Sequence, residues 1–152
     1  MPRVERRLRI AASRSEVWMK LTAFAEMPRW FLGVRRVELA TAPGEGAQRV
    51  LTLVTRQSMR ERIFDWSEEK GFSLEVLDPP PLSHDWLCRI ELESQDDATL
   101  IRWVLRWRSR FGAAGWLLHC LLVKPVVDVA LVLSLRRLRS QLGSATQGGA
   151  KR

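Results

Sequence analysis

With 152 residues, 46% of them hydrophobic and 28% charged, the chain is sized and composed for one folded domain, and global disorder is excluded. Two cysteines exclude a disulfide-rich scaffold and make a reducing compartment the default. The net charge of +8, carried by 21 arginines against 4 lysines, would suit a polyanion, but the arginines are scattered through different elements, so no specific nucleic-acid site is expected.

The opening stretch, MPRVERRLRIAASRSEV, contains no apolar run of signal-peptide length, so a cytoplasmic setting is the expectation. RVERRLRI reads as a first strand, with Val4, Leu8 and Ile10 on one parity. Ser13 and Glu16 form the S-x-x-E capping-box pattern, so a helix starts there. Pro28 ends or restarts it, and PRWF suggests a second short helix that includes Trp30.

From residue 35 the period changes to two, through RRVELA, a PGEG turn and QRVLTLVT. MRERIFDW and FSLEVL pair around EEKG, where Lys70-Gly71 is expected to supply the positive φ of a tight turn. The prolines at 79, 80 and 81 rule out a strand interior. DWLCRIELES and ATLIRWVLRW then flank QDD. If Asp96-Asp97 is a two-residue turn, Leu92 faces Ile101, Ile90 faces Trp103, Cys88 faces Leu105 and Trp86 faces Trp107, while Glu91 meets Arg102 on the reverse face. Arginines on that reverse face therefore read as a solvated ladder of ion pairs.

Residues 116–142 are predicted to form one long helix, kinked at Pro125, capped by Gly143 and followed by a flexible tail over 144–152. Its apolar stretch is long enough to span a bilayer, but Lys124 and Asp128 oppose insertion and their spacing suits a surface pair. Any apolar face left uncovered implies a partner, either a second copy of the chain or a membrane surface.

The order strand, two short helices, six antiparallel strands and one long helix is an α+β arrangement. It resembles the START-like (SRPBCC) superfamily of polyketide cyclases/dehydrases and lipid-transfer proteins, on IAASRSEVWMKLTAFAEMPRWFLGVRRVEL, RERIFDW and LRRLRSQLG. The resemblance covers residues 3–143 and implies one helix-grip domain over 1–143, with a curved antiparallel sheet of about seven strands around the C-terminal helix. It also implies a cavity between sheet and helix for a hydrophobic or aromatic small molecule: a lipid, or a polyketide-like or isoprenoid-like compound.

Candidate lining residues follow from parity and from that implied cavity. Trp86, Cys88, Ile90, Trp103, Leu105 and Trp107 share one face of the last two strands, where the tryptophans are either plain core or the wall of a pocket for a flat ligand. Met59, Glu61 and Ile63 share one face of MRERIFDW, and Trp30 sits on the second short helix. Leu118, Leu121, Leu122 and Val129 recur at helical spacing and are expected to close the cavity. Glu61 either points inward, as a ligand acceptor or general acid/base, or is turned outward by a bulge. If it lines the cavity, Glu61→Gln is expected to change ligand affinity or activity and to leave stability level or higher. Phe64 and Trp66 fall on the outer parity without an evident role. No P-loop, dinucleotide fingerprint, nucleophile elbow or metal-ligand spacing occurs, so neither metal nor cofactor is expected and no reaction is named. The alternatives to a binding domain are a cyclase/dehydratase-type enzyme using Glu61, or a module that meets a membrane or protein through the C-terminal helix.

Overall fold

The computed structural model describes residues 2–81 and 83–148, with side chains described up to residue 143. Seven strands form one antiparallel sheet in the order β1-β7-β6-β5-β4-β3-β2. Their limits are β1 Arg3–Ile10, β2 Val34–Leu39, β3 Gln48–Leu53, β4 Ser58–Ser67, β5 Gly71–Val76, β6 Ser83–Gln95 and β7 Ala98–Ser109. The first two strands are the two edges of the sheet, so the chain must cross from one edge to the other between them. Helix α1 (Arg14–Thr22) and a 3-10 segment (Phe24–Arg29) make that crossing. The capping box forms as predicted: the Glu16 backbone N–H donates to Ser13 Oγ, and the Ser13 N–H donates to the Glu16 carboxylate. Trp18, Phe24, Met27 and Trp30, carried by this connection, are buried in the core.

The last hairpin has the expected register, with Cys88 opposite Leu105, Ile90 opposite Trp103, Leu92 opposite Ile101 and Glu91 opposite Arg102. Gln95 pairs with Ala98 across Asp96-Asp97, and Asp96 takes φ 50°. The reverse face is a ladder of ion pairs: Arg102 reaches both Glu5 (2.8 Å) and Glu91 (3.0 Å), and Arg62 reaches Glu75 (2.6 Å).

The register shifts at three places among the described residues: between Val34 and Arg36 in β2, and at two bulges that each fall on an Asp-Trp pair. Asp65 takes φ 51° and Asp85 takes φ 53°, and at each the strand carries one residue more than its neighbour. At the first bulge the extra residue turns Trp66, on the outer parity by simple alternation, inward, where it stacks on Phe72 at 5.5 Å. At the second the register shifts just ahead of Trp86, which keeps its inward face. Trp86 stacks on Trp107 with centroids 4.7 Å apart and planes 9° from parallel. Gly71 takes the expected positive φ (153°), with Glu69 also positive (58°), and it is required for a second reason: a Cβ at residue 71 would lie 2.3 Å from the Ile90 carbonyl oxygen.

The C-terminal helix runs as α2 (Gly112–Leu118), a π turn (His119–Val123) and α3 (Lys124–Gly148). It passes through Gly143 instead of stopping there, and residues 149–152 of the expected tail lie outside the described residues. In place of a simple proline kink, a π turn sits just ahead of Pro125. The Lys124 N–H donates to the His119 carbonyl five residues back, a widened turn that suits the donor Pro125 lacks. Leu131, Leu135, Leu138 and Leu142 hold α3 in the core. The Leu32 N–H donates to Ser134 Oγ (2.8 Å), and Gln141 donates to the Arg29 carbonyl (2.9 Å). The expected Lys124–Asp128 pair does not form, because Arg6 of β1 takes Asp128 with two hydrogen bonds.

Candidate functional site

Period-two alternation gives the sheet one apolar face, and α3 covers only part of it. A cavity of about 270 Å³ remains between sheet, 3-10 segment and helix. Met59, Glu61, Trp86, Cys88, Trp103 and Leu105 line it, each on the parity assigned from sequence. Of these, Met59, Trp86, Cys88 and Leu105 are only half-buried, as fits side chains facing unfilled space. Trp30, Ile63, Ile90 and Trp107, the other sheet-side candidates, are fully packed in the core and do not form the wall.

The helix candidates need correction. Leu118, Leu121, Leu122 and Val129 face solvent, with Leu121 65% and Leu122 60% exposed. The stripe facing the protein instead runs through Gly115, His119, Val123, Val127 and Leu131, four residues apart at each step. Helical periodicity could not choose between stripes, because the helix is apolar on nearly every side, and the π turn then shifts the phase by one residue. Val127, Ala130 and Leu131 are the helix residues on the cavity wall.

Glu61 points inward, and its neighbour across the strand pair is Arg49. Both are buried; Arg49 donates from Nε to Glu61 Oε2 at 2.7 Å, and a terminal guanidinium nitrogen makes a 2.7 Å ion-pair contact with the same oxygen. The Arg49 guanidinium also lies 4.6 Å from the centre of the Phe24 ring. Sequence reasoning missed Arg49, although the signal was present: it shares parity with Leu51, which is also on the wall. The pair places one ionic hydrogen-bonding feature in otherwise apolar surroundings.

Desolvation of the Cys88 sulfur by the apolar groups around it, with the nearby Glu61 charge as a lesser cause, pushes the thiol well above its ordinary pKa, so it is a neutral wall residue and no thiolate nucleophile at neutral pH. His84 and Asp85 approach to 3.8 Å at the bulge, His84 half-buried and Asp85 exposed, and both lie away from the cavity wall. His119 is buried, with Nδ1 2.9 Å from the Gly115 carbonyl and its ring edge-on to Trp107. Among the described residues no group of His, Cys, Asp and Glu side chains is placed to hold a metal. A larger depression of about 770 Å³ on the reverse face is open and charged, and its Arg102 and Glu91 are already paired with each other, so it is the weaker candidate.

The sequence model of the family described as "Polyketide cyclase / dehydrase and lipid transport" matches residues 1–143. No curated protein matches the chain. Among solved structures, a Thermus thermophilus protein superposes with TM-score 0.76 at 16% identity, covering 95% of this chain and 99% of its own. A START superfamily protein from Mycobacterium smegmatis gives 0.74 at 15% identity, covering 94% of this chain and 98% of its own. A Thermobifida fusca protein gives 0.73 at 22% identity, covering 95% of each chain. At these identities the likeness is one of fold.

Proposed function

Because the chain belongs to the polyketide cyclase/dehydrase and lipid-transport family, we propose that it binds a hydrophobic small molecule carrying one hydrogen-bonding group, in the cavity between sheet and C-terminal helix. The observation that carries this reading is the buried Arg49–Glu61 pair set in an apolar wall of tryptophan, leucine and methionine side chains. Small-molecule sites combine an apolar lining with a few fixed polar groups in this way. Both Arg49 contacts go to Oε2, so Oε1 is the acceptor on offer to a ligand hydroxyl or N–H. At about 270 Å³ the cavity is near the lower end of the range for such sites, roughly 300–1,000 Å³. That size favours a single ring system or a short isoprenoid-like chain over a long diacyl lipid. Trp86 and Trp103 offer flat faces for stacking. We take the setting to be cytoplasmic, which the free thiols of Cys88 and Cys120 support.

Titration with an apolar naphthylamine dye tests the reading. Wild-type protein should bind it saturably, and Ala130→Phe, which fills the cavity from the helix side, should weaken binding about tenfold or more. Dye binding indifferent to Ala130→Phe would overturn it.

A further inference from the structure

The N-terminal half of the C-terminal helix is apolar on nearly every side and yet barely covered. Trp116, Leu117, Leu121, Leu122, Val126 and Val129 are all exposed, Val126 at 69%. Helices apolar all round are normally buried, and a continuous exposed patch of this kind marks a surface that something else covers. The charges around it identify the chemistry. Arg110 precedes the helix, Lys124 lies beside the patch, and Arg136 and Arg137 follow Leu133 by three and four residues on the same outward stripe. All four cations are exposed, and none is in an ion pair among the described residues. The one carboxylate between Gly112 and Gly143 is Asp128, which Arg6 already holds.

We infer that this outward face, from Phe111 to Arg137, docks on an anionic lipid surface. Acyl chains would take the leucines and valines, and phosphates would take the cations. Trp116, exposed at the patch's end, has the amphipathic indole that suits the headgroup boundary, and the exposed Phe111 ring beside it adds apolar surface. A second copy fits less well, because apposed faces would bring cation against cation and supply no free carboxylate. The stretch Gly112–Gly143 is long and apolar enough to cross a bilayer. Crossing would, however, pull Leu131, Leu135 and Leu138 from the core, Ser134 from the Leu32 N–H and His119 from Trp107. The helix therefore lies on the membrane. Val126 and Val129 would then touch lipid while Val127 and Ala130, about 100° further round the same turns, line the cavity. The docking does not depend on the cavity's being occupied.

Vesicle flotation tests this, with phosphatidylcholine vesicles compared against vesicles containing phosphatidylglycerol. The full chain should float with the anionic vesicles, and less so as salt rises. Lys124→Glu with Arg136→Glu should weaken binding about fivefold or more for each reversed charge, and Leu121→Glu with Val126→Glu should weaken it at least about tenfold. Circular dichroism should give all variants the native melting curve, since the substituted side chains are exposed. The proposal is overturned if wild-type protein binds neither vesicle, or binds both equally. It is equally overturned if sedimentation shows a dimer that Leu121→Glu with Val126→Glu dissociates and that ignores vesicles, or if the protein resists carbonate extraction from membranes as a spanning helix would.

Discussion

Arg49 and Glu61 sit directly opposite each other on β3 and β4, both on the sheet face that looks into the protein, joined by a hydrogen bond from Nε and an ion-pair contact from a terminal nitrogen, each at 2.7 Å. The pair reverses the expectation for Glu61→Gln. An unpartnered buried carboxylate would gain by neutralisation, but here the substitution leaves the Arg49 guanidinium buried and unpaired. It should therefore destabilise the fold by about 3 kcal/mol. The double variant Arg49→Met with Glu61→Leu should recover most of that loss, since no charge is left uncompensated. Urea denaturation of the two single variants and the double variant checks this. A Glu61→Gln protein as stable as wild type would show that the pair is not held as described.

The two Asp-Trp bulges predict a contrast between substitutions at one site. Asp85 occupies φ 53°, which glycine adopts freely and a β-branched residue does not. Its ion pair with Arg108, at 3.6 Å, is exposed and weak. Asp85→Gly should leave stability within about 1 kcal/mol, whereas Asp85→Val should cost about 1–2 kcal/mol and break the Trp86–Trp107 stack. The near-ultraviolet circular dichroism of the stacked indoles, followed through thermal melting, separates the two. Equal spectra for glycine and valine variants would mean that the bulge does not orient Trp86.

The ion-pair ladder on the reverse face gives a signed pH dependence. The hydrogen bond from Arg102 holds the Glu5 carboxyl at about 2 against its ordinary 4.5. A carboxyl depressed by folding stabilises above its unfolded pKa, and that contribution is lost as pH falls through the folded value. The melting-temperature gap between wild type and Arg102→Met should thus be full above about pH 5 and shrink toward pH 2. Because the pair is exposed, the gap should also narrow with added salt. A gap that stays constant across this range would remove Arg102 as the cause.

How far the sequence could be read depended on the local physics. The β6–β7 register was legible because a two-residue turn fixes it and a one-residue slip would reverse both faces. Glu61's inward direction was legible for the same reason, through Ile63 and its cross-strand partner Leu74. Arg49 left little mark, because an arginine in a strand is normally solvated and only its partner Glu61, twelve residues on, makes its burial tolerable. The bulges left no mark on hydrophobic alternation except the misplaced Trp66, and an aspartate at positive φ is permitted too often to announce one. The helix face was misassigned because leucines on the outside outnumber those inside, whereas glycine and histidine, poor markers of burial, occupy the buried positions 115 and 119.

The binding function proposed for this chain stands or falls on an internal cavity occupied by a hydrophobic molecule and polarised by Arg49 and Glu61. Native mass spectrometry of the purified protein, compared with Ala130→Phe, is the decisive experiment. Wild-type protein should carry one small hydrophobic adduct that organic solvent extracts. The adduct should be absent from an Ala130→Phe variant that still gives a cooperative melting transition. A wild-type protein that flies at its bare polypeptide mass, and that acquires no adduct when incubated with apolar aromatic or isoprenoid compounds, would contradict an occupied cavity.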